Sequence, residues 1–294
     1  MDVVVGQLFA GVSQGSILLL IALGLALTFG QMGVINMAHG EFIMAGAYTA
    51  YVMQGVISDA GISLLVAIPV GFCVGGLLGV ILEATLIRRM YSRPLDTLLV
   101  TWGVSLILQQ LARDIFGAPN VDVAAPTWLQ GSIQVGGVEL ASARLFIIVL
   151  SLACVIALSA IIRFSSLGRR VRAVVQNRDL AETVGISTRA TDRSTFFIGS
   201  GLAGVAGVAL TLLGSTGPTL GTNYIIDAFL VVVVGGIGQI RGAVIAAFVL
   251  GLLQSTFQYT TTASMAKVLL FMAIVVFLQL RPQGIVNVRT RSLA

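Results

Sequence analysis

Long apolar runs and short polar connectors alternate along the chain at an interval set by a bilayer, not by a globular core. A hydrocarbon core of about 30 Å takes about 20 helical residues. On that measure the pattern predicts spans near 8–29, 41–57, 62–87, 97–111, 144–164, 194–213, 227–239, 242–259 and 264–280. The fourth and seventh are short, and a short or broken span needs neighbouring helices to satisfy its free backbone groups. The seventh passes from Asp227 through Val231–Val234 into Gly235, Gly236 and Gly238, a shape suited to a half-helix or re-entrant segment. The expected fold is an all-α polytopic membrane protein of about 8–10 transmembrane helices, one domain over residues 1–294.

A faint repeat adds to the pattern. Ala26-Leu-Thr-Phe-Gly30-Gln-Met-Gly33 resembles Ala209-Leu-Thr-Leu-Leu-Gly214-Ser-Thr-Gly217 after one inserted residue. Each follows an apolar helix and precedes a polar, glycine-bearing segment. If the first ends inside and the second outside, this is an inverted repeat whose interrupted segments meet near the bilayer midplane.

Composition agrees: 57% of the 294 residues are hydrophobic and only 10% are charged, where a soluble domain carries roughly 25% charge. The net charge of +5 comes from arginines in short connectors. Nucleic-acid binding would need them on one water-exposed face; here they read as topology signals. Arg88, Arg89 and Arg93, the seven arginines between Arg163 and Arg193, and Arg281, Arg289 and Arg291 are expected in the cytoplasm. The loop 112–143 has Arg113 and Arg144 only at its ends, against Asp114, Asp122 and Glu139, and belongs outside. Its Pro119, Pro126, Trp128 and Gly136-Gly137 suggest a short hairpin or cap on the membrane surface. The N-terminus is then outside and the C-terminus inside. Met1-Asp-Val-Val-Val lacks the basic region of a cleaved signal peptide, so the first helix is expected to be retained. Cys73 and Cys154 lie in apolar segments, where free cysteine behaves as a small hydrophobe.

The costliest polar residues lie where charges are fewest. Asn36, His39 (the single histidine) and Glu41 stand between two apolar stretches. Facing lipid they would be penalised by several kcal/mol, so they are expected to line a protein-enclosed or watery path. Asn36 would equally cap a helix beginning near residue 37, and Glu41 would favour its positive N-terminus. Glu83, about one turn from Arg88, is expected to form a snorkelling ion pair with it. Asp227, near Tyr224, is expected at the outer N-terminus of its helix. No nucleophile elbow, metal-ligand spacing or catalytic set is present.

The run from Gly30 to Tyr48, with its Asn-x-Ala-His-Gly-Glu core followed by Gly-Ala-Tyr, resembles the integral membrane permeases of bacterial ABC importers for branched-chain amino acids. Arg93–Gln110, Gly217–Gly236 and Gln31-Met-Gly33 are similar to the urea-importer branch of that family. The resemblance implies a multi-pass protein of the bacterial cytoplasmic membrane. It also implies a second homologous permease, usually completing a heterodimer, two cytoplasmic ATPases that use ATP and Mg, and an external solute-binding protein. This chain has no phosphate loop, and its sole lysine, Lys267, lies in a span, so it is expected to bind no cofactor and catalyse nothing.

Residues 165–193 carry the second signal. Val171, Val174 and Val175, then Leu180, Val184 and Ile186, are spaced as short amphipathic helices broken at Asn177. Family members place a coupling helix here that seats in a groove of the ATPase, with an Ala-x-x-x-Gly pattern matched by Ala181 and Gly185. Attraction to anionic lipid would explain Arg169, Arg170 and Arg172 but not Glu182 or Gly185. A passive channel would need no such docking loop. For a neutral substrate such as urea or a short amide, hydroxyl, amide and carbonyl groups suffice as lining; Thr28, Asn36, Thr101, Ser105, Gln109 and Asn223 are the candidates. A branched-chain amino acid permease is the alternative reading.

Overall fold

The computed structural model describes residues 2–91, 93–135 and 138–286; the expectations placed on Gly136-Gly137, Arg289 and Arg291 fall outside these. Among the described residues seven helices are long and apolar enough to cross a membrane. They are α1 (Asp2–Met32), α3 (Ala60–Thr85, extended by a 3-10 turn to Arg89), α4 (Pro94–Phe116), α5 (Ser142–Phe164), α8 (Thr188–Leu210), α10 (Ile240–Thr260) and α11 (Ala263–Leu280). The shorter α2 (His39–Val56) and α9 (Leu220–Gly235) complete the expected set, and α6 (Ser166–Gln176) and α7 (Arg178–Thr183) form the basic connector.

Helix starts follow local chemistry. Asp59, Ser165, Asn177, Ser187 and Thr262 each accept a backbone N–H at the first turn of α3, α6, α7, α8 and α11, satisfying donors the helix cannot. Pro94 opens α4, where its missing N–H costs nothing.

Glycine decides the packing. A Cβ on Gly24 of α1 would lie 2.0 Å from the Gly199 carbonyl oxygen of α8, so the two central helices touch backbone to backbone. Along the rest of its length α1 lies on α10, with Gly251 against the Gly15 backbone, and α8 lies on α3, with Gly204 against the Gly71 carbonyl. Small residues allow such close approach where apolar lipid supplies no hydrophobic drive. The arrangement is reciprocal: each central helix packs on the third helix of the other half. Both central helices are followed by a break, and the two helices after the breaks begin together, Gly221 of α9 against the Gly40 carbonyl of α2.

The first break is tight. Gly33, at φ +64°, donates to the Phe29 carbonyl and ends α1, a conformation that favours glycine. Residues 34–38 then run back, so that His39 lies beside Ile21, about three turns up α1 from its end. Helix α2 therefore starts inside the bundle.

Residues 87–91 and 93 and the segment from Arg163 to Arg193 gather at one end, where Arg178 meets Tyr91 and Asp192; this is the basic end. At the other end residues 117–135 and 138–141 cover the bundle. Their strands β1 (Ser132–Val135) and β2 (Val138–Ala141) pair antiparallel with Ser132 opposite Ala141. Val121 bridges Thr216, and Gln54 clasps Ala124.

Two spans differ from the expectation. Helix α4 is a full-length crossing of 23 residues, not a short one over 97–111. Its polar positions depress the local hydropathy, yet they all belong to the helix. Helix α9 starts at Leu220, not at 227, and ends at Gly235, the first of the glycine run, whose Gly236 and Gly238, at positive φ, lie in the turn into α10.

Candidate functional site

Helix α4 is polar inside and apolar outside. Thr97, Thr101, Ser105 and Gln109, four residues apart, are buried, whereas Leu95, Leu99, Trp102, Leu106 and Leu111 are exposed. A spacing of four keeps one face of a helix, so this is a single stripe, turned toward the N-terminal ends of α2 and α9.

Glu41, in the first turn of α2, meets it. The side chain is 1% exposed. Its Oε1 accepts from Ser105 Oγ at 2.7 Å, from Gln109 Nε2 at 2.9 Å and from Thr222 Oγ1 at 3.5 Å. Gln109 also donates to Thr222 at 2.9 Å. A carboxylate in such a place is tolerable only when hydrogen-bonded, and here two other helices, α4 and α9, supply the donors. Thr101 Oγ1 accepts from Met37 N at 3.1 Å, fastening the break to α4.

Hydrogen-bonding capacity is left over. Glu41 Oε2, both amide atoms of Asn36, His39 Nδ1 and Tyr48 Oη are buried with no hydrogen-bond partner among the described residues. Buried polar groups are ordinarily satisfied; four of these atoms, on Asn36, His39 and Glu41, fall within six residues at the start of α2. Asn36 is not the cap expected of it: α2 begins at His39, after Ala38, and its first turn has no side-chain cap.

The remaining candidates divide. His39 Nε2 lies 3.4 Å from the Ile21 carbonyl and its ring is edge-on to Phe42. Thr28 turns its hydroxyl back to the Gly24 and Leu25 carbonyls, and Asn223 is exposed on α9. Thr222, one residue earlier and likewise exposed, is the α9 residue that reaches Glu41 and Gln109. Placing the start of α9 at Leu220 would have found it, since Thr222 then falls in the first turn beside Gly221. Asp227 is two turns into α9, not at its N-terminus, and is paired with Lys267 of α11 at 3.6 Å.

At the basic end, the break expected at Asn177 separates α6 from α7. Val171, Val174 and Ala181 face inward, while Leu180 and Val184 are 61% and 70% exposed. Arg169, Arg170, Arg172 and Glu182 are exposed; the Arg172 guanidinium donates to the Ile162 carbonyl, and Glu182 accepts from Thr188. Gly185, at φ +85°, closes α7, with Ile186 N donating to the Ala181 carbonyl. This is the end a helix makes with glycine, so the Ala181–Gly185 pattern shapes the loop tip.

The connector is anchored to the bundle. Arg178 pairs with the buried Asp192 and lies 4.8 Å from the Tyr91 ring. Tyr91 donates to Glu83 at 2.8 Å, and burial together with the Asp192 and Glu83 carboxylates pushes its phenol above the ordinary range, keeping it a donor. The ion-pair partner of Glu83 is Arg193, at 3.7 Å, not Arg88. Glu83 is buried and points across to α8 instead of snorkelling along its own helix.

Fold and polar layer together define a multi-pass membrane transport protein. The family described as branched-chain amino acid transport system, permease component, matches residues 7–278, and the chain belongs to it. It is 33% identical to the high-affinity branched-chain amino acid transport system permease protein LivH of Escherichia coli (strain K12), over 96% of this chain and 94% of that protein. LivH of Salmonella typhimurium is 32% identical with the same coverage, and BraD of Pseudomonas aeruginosa is 30% identical over 96% of this chain and 95% of that protein. No solved structure matches the chain. It is thus a permease subunit of an ABC importer in a bacterial inner membrane, a role that implies ATPase and binding-protein partners.

Proposed function

We propose that this chain forms part of the translocation path of an importer for branched-chain amino acids, and that solute passes the layer of Glu41, Ser105, Gln109 and Thr222. The observation that carries the reading is this layer, set where the two interrupted helices begin inside an otherwise apolar bundle. The substrate class follows the names of the relatives. It also fits the chemistry: Glu41 suits an ammonium group, and the inward N-termini of α2 and α9 suit a carboxylate without any arginine. Urea or a short amide is the narrower reading, supported by the stretches Arg93–Gln110 and Gly217–Gly236 and by the hydroxyl and amide lining.

Residues 165–193, with Arg169, Arg170, Arg172, Ala181, Glu182 and Gly185, act as the dock for a cytoplasmic ATPase. The exposed Leu180 and Val184 support this, being apolar residues on a basic surface. A second homologous permease completes a heterodimer, and ATP with Mg is used by the ATPases alone. Uptake of labelled leucine and labelled urea by cells with and without this gene, under nitrogen limitation, tests the substrate. Loss of leucine uptake is expected; loss of urea uptake with leucine uptake intact would move the assignment to the urea branch.

A further inference from the structure

Asp192, in the second turn of α8, is 1% exposed, and both of its oxygens are engaged. Oδ1 accepts from Gln31 Nε2 at 2.8 Å, and Oδ2 accepts from the Arg178 guanidinium. Gln31 is held a second time by Thr195, one turn further along α8, whose hydroxyl donates to its side-chain carbonyl. Gln31 lies in the last turn of α1, directly before the break that leads to Asn36 and Glu41. Arg178 is the first residue of α7 and also covers Tyr91, in the turn that leads into α4.

We propose that Asp192 is the positioning residue through which movement of the connector α6–α7 reaches α1, α4 and the polar layer. The inference rests on the reading of residues 165–193 as the ATPase dock. Helix α6, with Val171 and Val174 buried, also packs on α1 and α8, beside a cavity of about 280 Å³ lined in part by Gln31 and Arg172. Helix α7 touches α8 more lightly. Its link is a charge-assisted pair to a buried carboxylate, among the stronger and more directional of hydrogen bonds. Displacement of Arg178 therefore displaces Asp192 and, through its other oxygen, Gln31. From Gln31 the chain runs through Met32 into the break, where the bond from Met37 to Thr101 hands the movement to α4. A carboxylate kept only to neutralise Arg178 would need one engaged oxygen; here the second is committed to α1.

The test uses the complete importer in proteoliposomes. ATP hydrolysis is measured with and without loaded solute-binding protein, together with uptake of labelled leucine. The variants are Asp192→Asn, which keeps shape, Arg178→Gln, at a side chain one-third exposed, and Gly185→Trp at the loop tip. Asp192→Asn, at a buried residue, should leave assembly and basal hydrolysis in place, and in both it and Arg178→Gln the solute-stimulated increment per assembled complex and uptake should fall together by about 2- to 30-fold. The double variant should be little worse than either single one, as expected for members of one network. Unchanged stimulation and uptake in both variants would overturn the proposal, as would a loss of assembled complex that accounts for all lost activity in both. If Gly185→Trp uncouples and the other two do not, this inference fails alone; if none of the three has an effect, the docking reading fails with it.

Discussion

Glu41 shows how much a single acid has to be given before a membrane protein can hold it. Its one engaged oxygen draws donors from α4 and α9, neither of them next to α2 in the chain. Hydrogen bonds to a charged group contribute about 1.5–3 kcal/mol each, so the acid also holds the starts of α2 and α9 against the middle of α4. Glu41→Gln preserves the volume but offers Ser105 and Gln109 only a neutral acceptor. Uptake of labelled leucine by the assembled importer is expected to fall about tenfold or more, as the loss of about 1.5 kcal/mol implies, with the amount of complex in the membrane unchanged. Wild-type uptake in this variant would remove Glu41 from the path. The sequence exposed Asn36, His39 and Glu41 because polar residues stand out against apolar flanks. It could not tell Thr222 from Asn223, since a one-residue choice depends on where α9 starts, and that start is set by Gly221 packing on Gly40.

At the scale of elements, the spans that hydropathy found without trouble are those with an apolar face toward lipid, such as α5 and α11. It shortened α4 because averaging over a window cannot distinguish a polar stripe from a polar end. It shortened α9 because Gly221, Thr222 and Asn223 read as a loop when the partner they pack against is not visible. The break at Asn177 was legible, since one residue both ends the periodicity of α6 and caps α7. The reciprocal packing of α1 on α10 and α8 on α3 had only a trace in the sequence, because glycine spacing shows that close contact is possible but not with which helix. Gly24→Leu should make that contact measurable. With a Cβ 2.0 Å from the Gly199 oxygen, the central pair must separate, and overpacking of this kind costs about 1–3 kcal/mol or more. A lower thermal midpoint in detergent is expected, with less monodisperse protein. Gly55→Leu, which meets nothing within 4 Å, should leave both unchanged. Equal losses in the two variants would contradict the backbone contact.

The whole molecule divides its labour between two ends of one bundle. The polar layer lies where α2 and α9 begin, and the basic end carries an exposed connector tied inward by Arg178 and Asp192. Neither feature serves a simple pore in full: a pore needs the first and has no use for the second. The net charge of +5, concentrated at the connector, adds a dependence on ionic strength to any docking there. The central claim is that the chain moves solute only as part of an ATP-driven assembly. It is tested most directly in proteoliposomes that contain either this chain alone or the complete importer, each with labelled leucine and the binding protein outside and ATP with Mg enclosed. The account predicts accumulation only with the complete importer and only with ATP; steady flux of leucine through the lone chain would contradict it.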